Sequence, residues 1–534
     1  MTDKILYEMG FTDDEVTHLV SYEQTIANME ETIQNEVMSV VIDEETEQPK
    51  NVFVPEETFI DFMNQNYNIV AGSLHPRPMW YNKEEGYWQE LETKRGDVGN
   101  AIWANIIHPM LKQFRNDYMY LMLGGARDKW QHACKEYAKL LDSKNAKELV
   151  NTTNPNLIMF KNGVYDFKTN EIRDGKPTDY QTIKLDYPLV KTDEKTMAEE
   201  WLELLLEDNL QTLMELIGYL FYRDYKYATY VFFINGDQAK NGSNGKSYVQ
   251  NFIKLLISGN ASAVSLRDLD GKDKFATSGL YNKLANIEGD APNMNLDNMN
   301  IIKTLTGNDI VNAQYKGQDS FTFKNYAKLI FATNHMPSFK DFSEATRERL
   351  MIIPFNKNTG DIREELAIHN KQKELRESDE ELGKFAWRCI QAFRRLLIEF
   401  PTERNPFTKT QQQIDMVENY YYDNNTPLQF LTESGIFEKT GDPEDTAHTA
   451  TVYKAYEEWC YEEGYKPHGR KMFASMVKAF DGVEVKNKRQ PKSEGGKQYK
   501  AYVGIKDLTD QSDQETVTVQ ISKPTAKIDE KDVF

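Results

Sequence analysis

Tyr230-Val231-Phe232-Phe233-Ile234, then Asn241-Gly242-Ser243-Asn244-Gly245-Lys246-Ser247, then Tyr248-Val249-Gln250-Asn251-Phe252-Ile253-Lys254-Leu255-Leu256, reads as a buried strand, a flexible loop and a helix. A loop of this kind points backbone N–H groups and a helix N-terminus at one spot, as the holding of phosphates requires. Gly242, Asn244 and Gly245 would form the cradle, Lys246 would reach the outer phosphates, and the Ser247 hydroxyl would hold magnesium. No packing role is expected of Lys246. An ordinary Gly/Asn/Ser turn does not explain why a lysine opens the helix. The position six before the lysine, where a glycine is usual, is Lys240, and the nearest glycines are Gly236 and Gly242. The loop is therefore expected to be longer than the minimal form.

Composition sets the frame for this motif. The 534 residues suffice for three or four domains of roughly 150 residues each. Met1 to Leu6 lacks a basic-then-apolar leader pattern, and no apolar run approaches the ~20 residues that cross a bilayer. Cys134, Cys389 and Cys460 lie far apart without paired spacing, which fits a reducing compartment and no structural zinc. A cytoplasmic protein without a membrane partner is expected. The net charge of −20 is uneven: residues 1–60 carry −13 and residues 501–534 carry −3. The middle of the chain is near balance, so basic surfaces there are not excluded.

The pattern along the chain divides it into six parts. Residues 1–55 form an acidic helical segment, with a helix over 10–42 on the stripe Leu19, Tyr22, Ile26, Met29, Ile33 and Val37 and a polar linker from Glu44 to Pro55. Such a stripe serves either self-association or, more often, packing on its own domain. Residues 56–225 are mixed and mostly helical, with hairpins at Met79–Trp88 and Leu157–Phe167 and a helical stretch from Met197 to Tyr222. Residues 226–360 hold the nucleotide core and 361–425 a charged helical connector. Residues 426–506 carry helices near Tyr453–Glu463 and Arg470–Phe480 and a basic stretch Lys486–Lys500. Residues 507–534 read as an acidic disordered tail.

A phosphate loop needs acidic partners for magnesium and for the attacking water. The apolar run Leu284-Ala285-Asn286-Ile287 ends in Glu288-Gly289-Asp290, and strand ends in α/β sheets face the nucleotide crevice. Which of the two carboxylates holds metal and which polarises water stays open. A further strand, Ala327–Thr333, ends in Asn334, an uncharged amide suited to the γ-phosphate and water. Arg347-Glu348-Arg349 precedes the strand Leu350–Phe355. An arginine displayed there suits stabilisation of a transition state on a neighbouring subunit, Arg349 before Arg347.

From Gly236 to Phe355 this order of motifs resembles the superfamily 3 helicases, in the phage and plasmid branch related to the poxvirus primase–helicase. Asn244–Ser247, the Glu288 strand, Ile302-Lys303-Thr304-Leu305-Thr306-Gly307-Asn308-Asp309, Phe331-Ala332-Thr333-Asn334 and Arg349 through Phe355 carry the likeness. Asn162–Phe167 resembles that branch's preceding helical domain, and Leu428–Gly504 its C-terminal winged-helix module. The resemblance covers about residues 75–505. It implies an α/β, AAA+-like P-loop ATPase core, a homo-hexameric ring, ATP with magnesium, and translocation on single-stranded and replication-fork DNA. It also implies a pore hairpin, which Gln314–Asp319 before Phe321-Thr322-Phe323 fits, with Lys316 as its cation and Lys303 nearby. Lys466, Arg470, Lys471, Lys486, Lys488 and Arg489 offer a further DNA surface.

Many such relatives carry a polymerase-type primase. Residues 1–90 are too short for one, and residues 1–150 contain no Asp-x-Asp, so no primase activity is expected. An origin-binding initiator and a non-translocating nucleotide switch are the competing functions. Replication partners would dock through the acidic N-terminal segment or the tail Ile528–Phe534.

Overall fold

The computed structural model describes residues 24, 27–46, 49–71, 78–91, 97–114, 117–141, 154–236, 244–270, 275–291, 295–296, 299–317, 320–339, 344–360, 362, 378–489 and 497–509. The chain divides into two compact units, one of residues 1–341 and 348–415 and one of residues 342–347 and 416–534.

The first unit is mixed α/β around a parallel sheet. In spatial order its strands are Ala261–Ser262, Ala285–Glu288, Lys328–Ala332, Tyr230–Asn235 and Leu350–Phe355, and every neighbouring pair is parallel. The strand that comes first in the chain thus lies between the two that come last. Such a reversal opens a crevice at the carboxyl ends of the strands, where ligands of open α/β sheets bind. Phe232, Phe233, Ile330, Phe331 and Ile353 are fully buried, which is why these strands are continuously apolar instead of alternating. Each such side chain contributes about 1.5–3 kcal/mol.

Helices cover the sheet. Trp201 of Met197–Leu206 meets Phe252 of Lys246–Leu256 edge-on at 5.6 Å, and Phe252 meets Phe385 of Asp379–Glu399 at 5.5 Å. Leu210–Leu220 crosses Asp379–Glu399 at Gly218, where a Cβ would come within 2.1 Å of the Cys389 carbonyl oxygen. No other residue permits so close a crossing. The expected helical stretch 197–222 is broken at Glu207, whose φ is +49°.

Ahead of the sheet, the hairpin strands Met79–Asn82 and Tyr87–Glu90 pair antiparallel. So do Leu157–Phe160 and Gly163–Asp166, with a third strand at Glu171–Arg173. The expected helix over 10–42 needs correcting. Helix ends at Val37, and Ser39–Ile42 pairs antiparallel with Pro49–Phe53, so the expected linker 44–55 is largely a turn and a strand. Val40, Val41 and Ile42, with Val52 and Phe53 opposite, favour the extended chain. Ile33 and Val37 are buried against Phe59, Phe62 and Trp130, so this part of the stripe packs on its own domain. Leu19, Tyr22 and Ile26 lie outside the described residues.

The second unit packs the helices Thr426–Glu433, Thr449–Glu462 and Arg470–Lys478 on Phe430, Tyr456, Phe473 and Tyr502. Tyr456 stacks on Phe473 at 4.4 Å. Gln498–Val503 pairs antiparallel with both Glu484–Arg489 and Thr446–His448. The tail beyond residue 509 lies outside the described residues. The three cysteines are buried and free. Among the described residues no helix is long and apolar enough to cross a membrane.

Candidate nucleotide site

Lys246 opens an 11-residue helix directly after Gly245. Gly245 has φ +88°, and a Cβ there would stand 3.0 Å from Leu205 Cδ2, so both backbone and space call for glycine. Among the described residues no side chain caps this helix, and first-turn N–H groups of such an end suit an anion. Asn241, Gly242 and Ser243 lie outside the described residues.

The lysine is not reserved for nucleotide. It is 9% exposed, and its Nζ donates to Asn334 Oδ1 at 2.9 Å, to Asn244 Oδ1 at 3.5 Å and to Asn235 Oδ1. Three amide oxygens hold the ammonium, which corrects the expectation that it packs against nothing. Burial lowers its pKa, while the negative charge of Asp290 acts the other way. Asn235 itself was not singled out in the sequence. The available signal was a polar amide closing the apolar strand just before the loop.

The carboxylates enter from the neighbouring strand. Glu288 Oε2 accepts a hydrogen bond from the Leu266 N–H at 2.7 Å. Burial raises the Glu288 pKa, the Leu266 N–H opposes that rise, and Asp268 and Asp290 add to it. The Glu288 carbonyl accepts from Gln250 Nε2 at 2.9 Å, so the phosphate-loop helix is tied to the strand bearing the glutamate. Gln250 is a second residue that the sequence reading passed over, a lone amide on an otherwise apolar helix face. Asp290 is exposed, as is Ser247 at the head of the helix.

Thr333 fixes the third strand end. Its N–H donates to the Phe233 carbonyl at 3.0 Å and its Oγ1 to the Ala291 carbonyl at 3.0 Å. The loop after Glu288 is thereby drawn to the end of the asparagine strand, and Asn334 emerges beside the lysine. Among the described residues no group of three or more His, Cys, Asp or Glu gathers to hold a metal unaided. Ser247, Glu288 and Asp290 carry hard oxygen atoms of the kind that magnesium accepts alongside phosphates and water.

Arg349 lies elsewhere in the first unit. Leu350–Phe355 runs parallel with Tyr230–Asn235 in the register Leu350 to Tyr230 and Phe355 to Asn235. The Arg349 carbonyl accepts the Tyr230 N–H at 2.9 Å, at the amino end of the sheet. Asn235 and Lys246 mark the carboxyl end, roughly 20 Å away at the rise of a strand. Arg347 is engaged in its own unit, donating to Glu418 Oε2 at 2.6 Å and to Glu344, with its guanidinium 5.0 Å from the Tyr421 ring centre. Burial opposes its charge, but the Glu344 and Glu418 carboxylates outweigh that and raise its pKa.

Ile310–Gln314 and Ser320–Lys324 form an antiparallel hairpin between the glutamate and asparagine strands. Lys316 is exposed at its turn beside Gly317, whose φ is +80°. Lys303 lies half-buried on the short helix Asn300–Thr306. In the second unit Arg470 and Lys471 are exposed at the head of their helix, with Lys466 exposed just ahead of it. Lys486 is ion-paired to Glu484 at 2.8 Å, Lys488 bonds Thr446 Oγ1 at 3.2 Å, and Arg489 ends the same strand.

Residues 75–207 match the profile "D5 N terminal like" and residues 423–512 match "Poxvirus D5 protein-like". In these two segments the chain is similar to the D5 proteins, in line with its resemblance to superfamily 3 helicases. Residues 238–349 match a "Family of unknown function", DUF5906. "Putative helicase 121R" of Invertebrate iridescent virus 3 is 29% identical over 38% of this chain and 23% of its own length. "Putative helicase 184R" of Invertebrate iridescent virus 6 is 25% identical over 57% of the chain and 34% of its own length. The chain spans less than half the length of the viral relatives it matches. Among solved structures, the apo C-terminal region of NrS-1 aligns with 84% of the chain and 98% of its own, at 11% identity and a TM-score of 0.45.

Proposed function

We propose that this chain is an ATP-dependent replicative DNA helicase of a phage or other mobile element, moving along single-stranded DNA as a hexameric ring in the host cytoplasm. The observation that carries the reading is the contact of Lys246 with Asn334 at the carboxyl edge of the parallel sheet. It brings a cation for the outer phosphates beside an amide able to orient a water, with Glu288 on the adjacent strand. Lys246 would leave its three asparagines for phosphate oxygens. Asn334 would then be released to bond the γ-phosphate and the water, and Glu288 or Asp290 would draw the water's proton. Magnesium, held by Ser247 and these carboxylates, would supply charge neutralisation on the phosphates when bound.

Arg349 sits too far from its own Lys246 to share that site, which supports an AAA+-like interface where it completes the neighbour's. The exposed Lys316 supports a strand passing the hairpin turn. ATP turnover with and without single-stranded DNA, alongside mass by light scattering, tests the reading. DNA-stimulated turnover by a hexamer is expected. A monomer indifferent to DNA would overturn it.

The exposed bases of the Arg470 helix and the Glu484–Arg489 strand also favour a winged-helix-like contact with duplex DNA, as an origin-binding initiator would need. Equal affinity for all duplex sequences would count against that role. We assign no primer synthesis to this chain. Primers formed from ribonucleotides or deoxynucleotides on a single-stranded template by the pure protein would refute that assignment.

A further inference from the structure

A cavity of about 570 Å³ lies within the first unit, away from the nucleotide site, between the Met79–Glu90 hairpin and the turn at Tyr281–Lys283. Its size is that of a small-ligand site. Tyr87, Trp88, Tyr281 and Tyr315 line it, together with the amides of Gln89 and Asn282. Aromatic faces beside amide groups are the chemistry that receives a nucleobase, by stacking and by hydrogen bonds to its edge.

The lining is held in place. The Trp88 N–H donates to the Gln181 carbonyl at 2.7 Å, its Nε1 donates to the Pro177 carbonyl at 2.8 Å, and its ring stacks on Tyr180. Tyr281 stands edge-on to Phe321 at 5.2 Å, and Tyr315 stacks on the same Phe321 at 5.4 Å. Asn282 adopts φ +56°, a left-handed conformation that asparagine tolerates and that recurs at binding sites. Its Oδ1 accepts from Thr182 Oγ1 at 2.5 Å and from the Tyr326 hydroxyl at 2.9 Å. The group Asn282 has left to offer is therefore its Nδ2 donor.

Charge decides which part of a nucleotide enters. Lys283 and Glu90 bring opposite signs to the lining, so it has no excess of cations for a free triphosphate. Tyr315, however, directly precedes the exposed Lys316 at the hairpin turn. A backbone phosphate at that lysine leaves its base within reach of the cavity.

We propose that this cavity takes one unstacked base from the single strand that passes the Ile310–Lys324 hairpin, stacked on Tyr315, met edge-on by Tyr281 and hydrogen-bonded at its edge by Gln89 and Asn282. It deepens the helicase reading and rests on it. The base is gripped while its phosphate stays at Lys316, so the strand is held by base and backbone together.

Binding of the full chain to a single strand of about 20 nucleotides, and to an abasic strand of equal length and charge, separates the two ideas without any variant. The intact strand is expected to bind about tenfold more tightly, the effect of a stacked base. A fluorescent adenine analogue in the strand should be quenched on binding, and Tyr315→Ala or Tyr87→Leu should remove both the preference and the quenching. Equal affinity for intact and abasic strands overturns the base site and leaves the helicase reading standing. Failure to bind either strand overturns both. Competition by free dAMP as effective as that by the strand would make the cavity a mononucleotide site and also overturn the proposal.

Discussion

The Nζ of Lys246 lies 2.9 Å from Oδ1 of Asn334, a residue 88 positions further along the chain. The pair spans two strands' loops, the one after Tyr230–Asn235 and the one after Lys328–Ala332, which are sheet neighbours. It makes the lysine's position a consequence of sheet order as well as of loop sequence.

Lys246→Ala is expected to lower kcat for ATP by at least about a hundredfold, the cost of losing one transition-state donor. Its three hydrogen bonds are offset by the penalty of burying an ammonium, so stability should change by no more than about 1.5 kcal/mol. Steady-state hydrolysis and urea unfolding check the two halves. Wild-type turnover would remove Lys246 from the chemistry.

Gly245→Ala should destabilise the first unit by about 1–2 kcal/mol, because φ +88° is a left-handed conformation that a Cβ disfavours. The added methyl also crowds Leu205. Nucleotide affinity should fall with stability, since the backbone displaced is the one that opens the phosphate-loop helix. An unfolding midpoint equal to wild type would contradict the strain.

Arg349→Ala should retain ATP binding and lose roughly a thousandfold in hydrolysis, the range of a trans-acting arginine. Mixing it with Lys246→Ala subunits should restore part of the activity, because a mixed interface pairs an intact lysine with an intact arginine. Exchange shown by labelled subunits with no recovery would exclude a shared site.

Lys316→Ala should weaken single-stranded DNA binding and unwinding. The slope of log affinity against log salt should become shallower by roughly 0.7 for each phosphate that the protein no longer neutralises. An unchanged slope would put the strand on another path.

Lys328 is buried, with its Nζ 4.3 Å from the Tyr219 ring centre and hydrogen-bonded to the Tyr222 carbonyl. Burial lowers its pKa well below 10.5, against the pull of Asp224. The unfolded lysine binds its proton more tightly, so between the lowered pKa and 10.5 the unfolded state holds more protons and stability rises with pH. Urea midpoints of wild type should show that rise, and Lys328→Met should flatten it. Identical pH profiles would exclude the burial penalty.

What the sequence by itself determined is local. The apolar run 230–234, the glycine-rich loop and the helix after Lys246 could be read because strand and helix burial leave different spacings in the residues themselves. The hairpins at 79–88 and 157–167 were legible for the same reason, and so was the resemblance to superfamily 3 helicases carried by the order of these motifs. The strand at Ser39–Ile42 was not: a stripe spaced by threes and fours continued into β-branched residues whose partner, Pro49–Phe53, decides their conformation. Tertiary structure alone decided that the first strand lies between the last two, that Asn235 and Asn334 meet on Lys246, and that Arg349 stands at the far end of the sheet. Strand order is set by which apolar faces bury one another across many residues, and that long-range choice leaves no periodic trace in the chain.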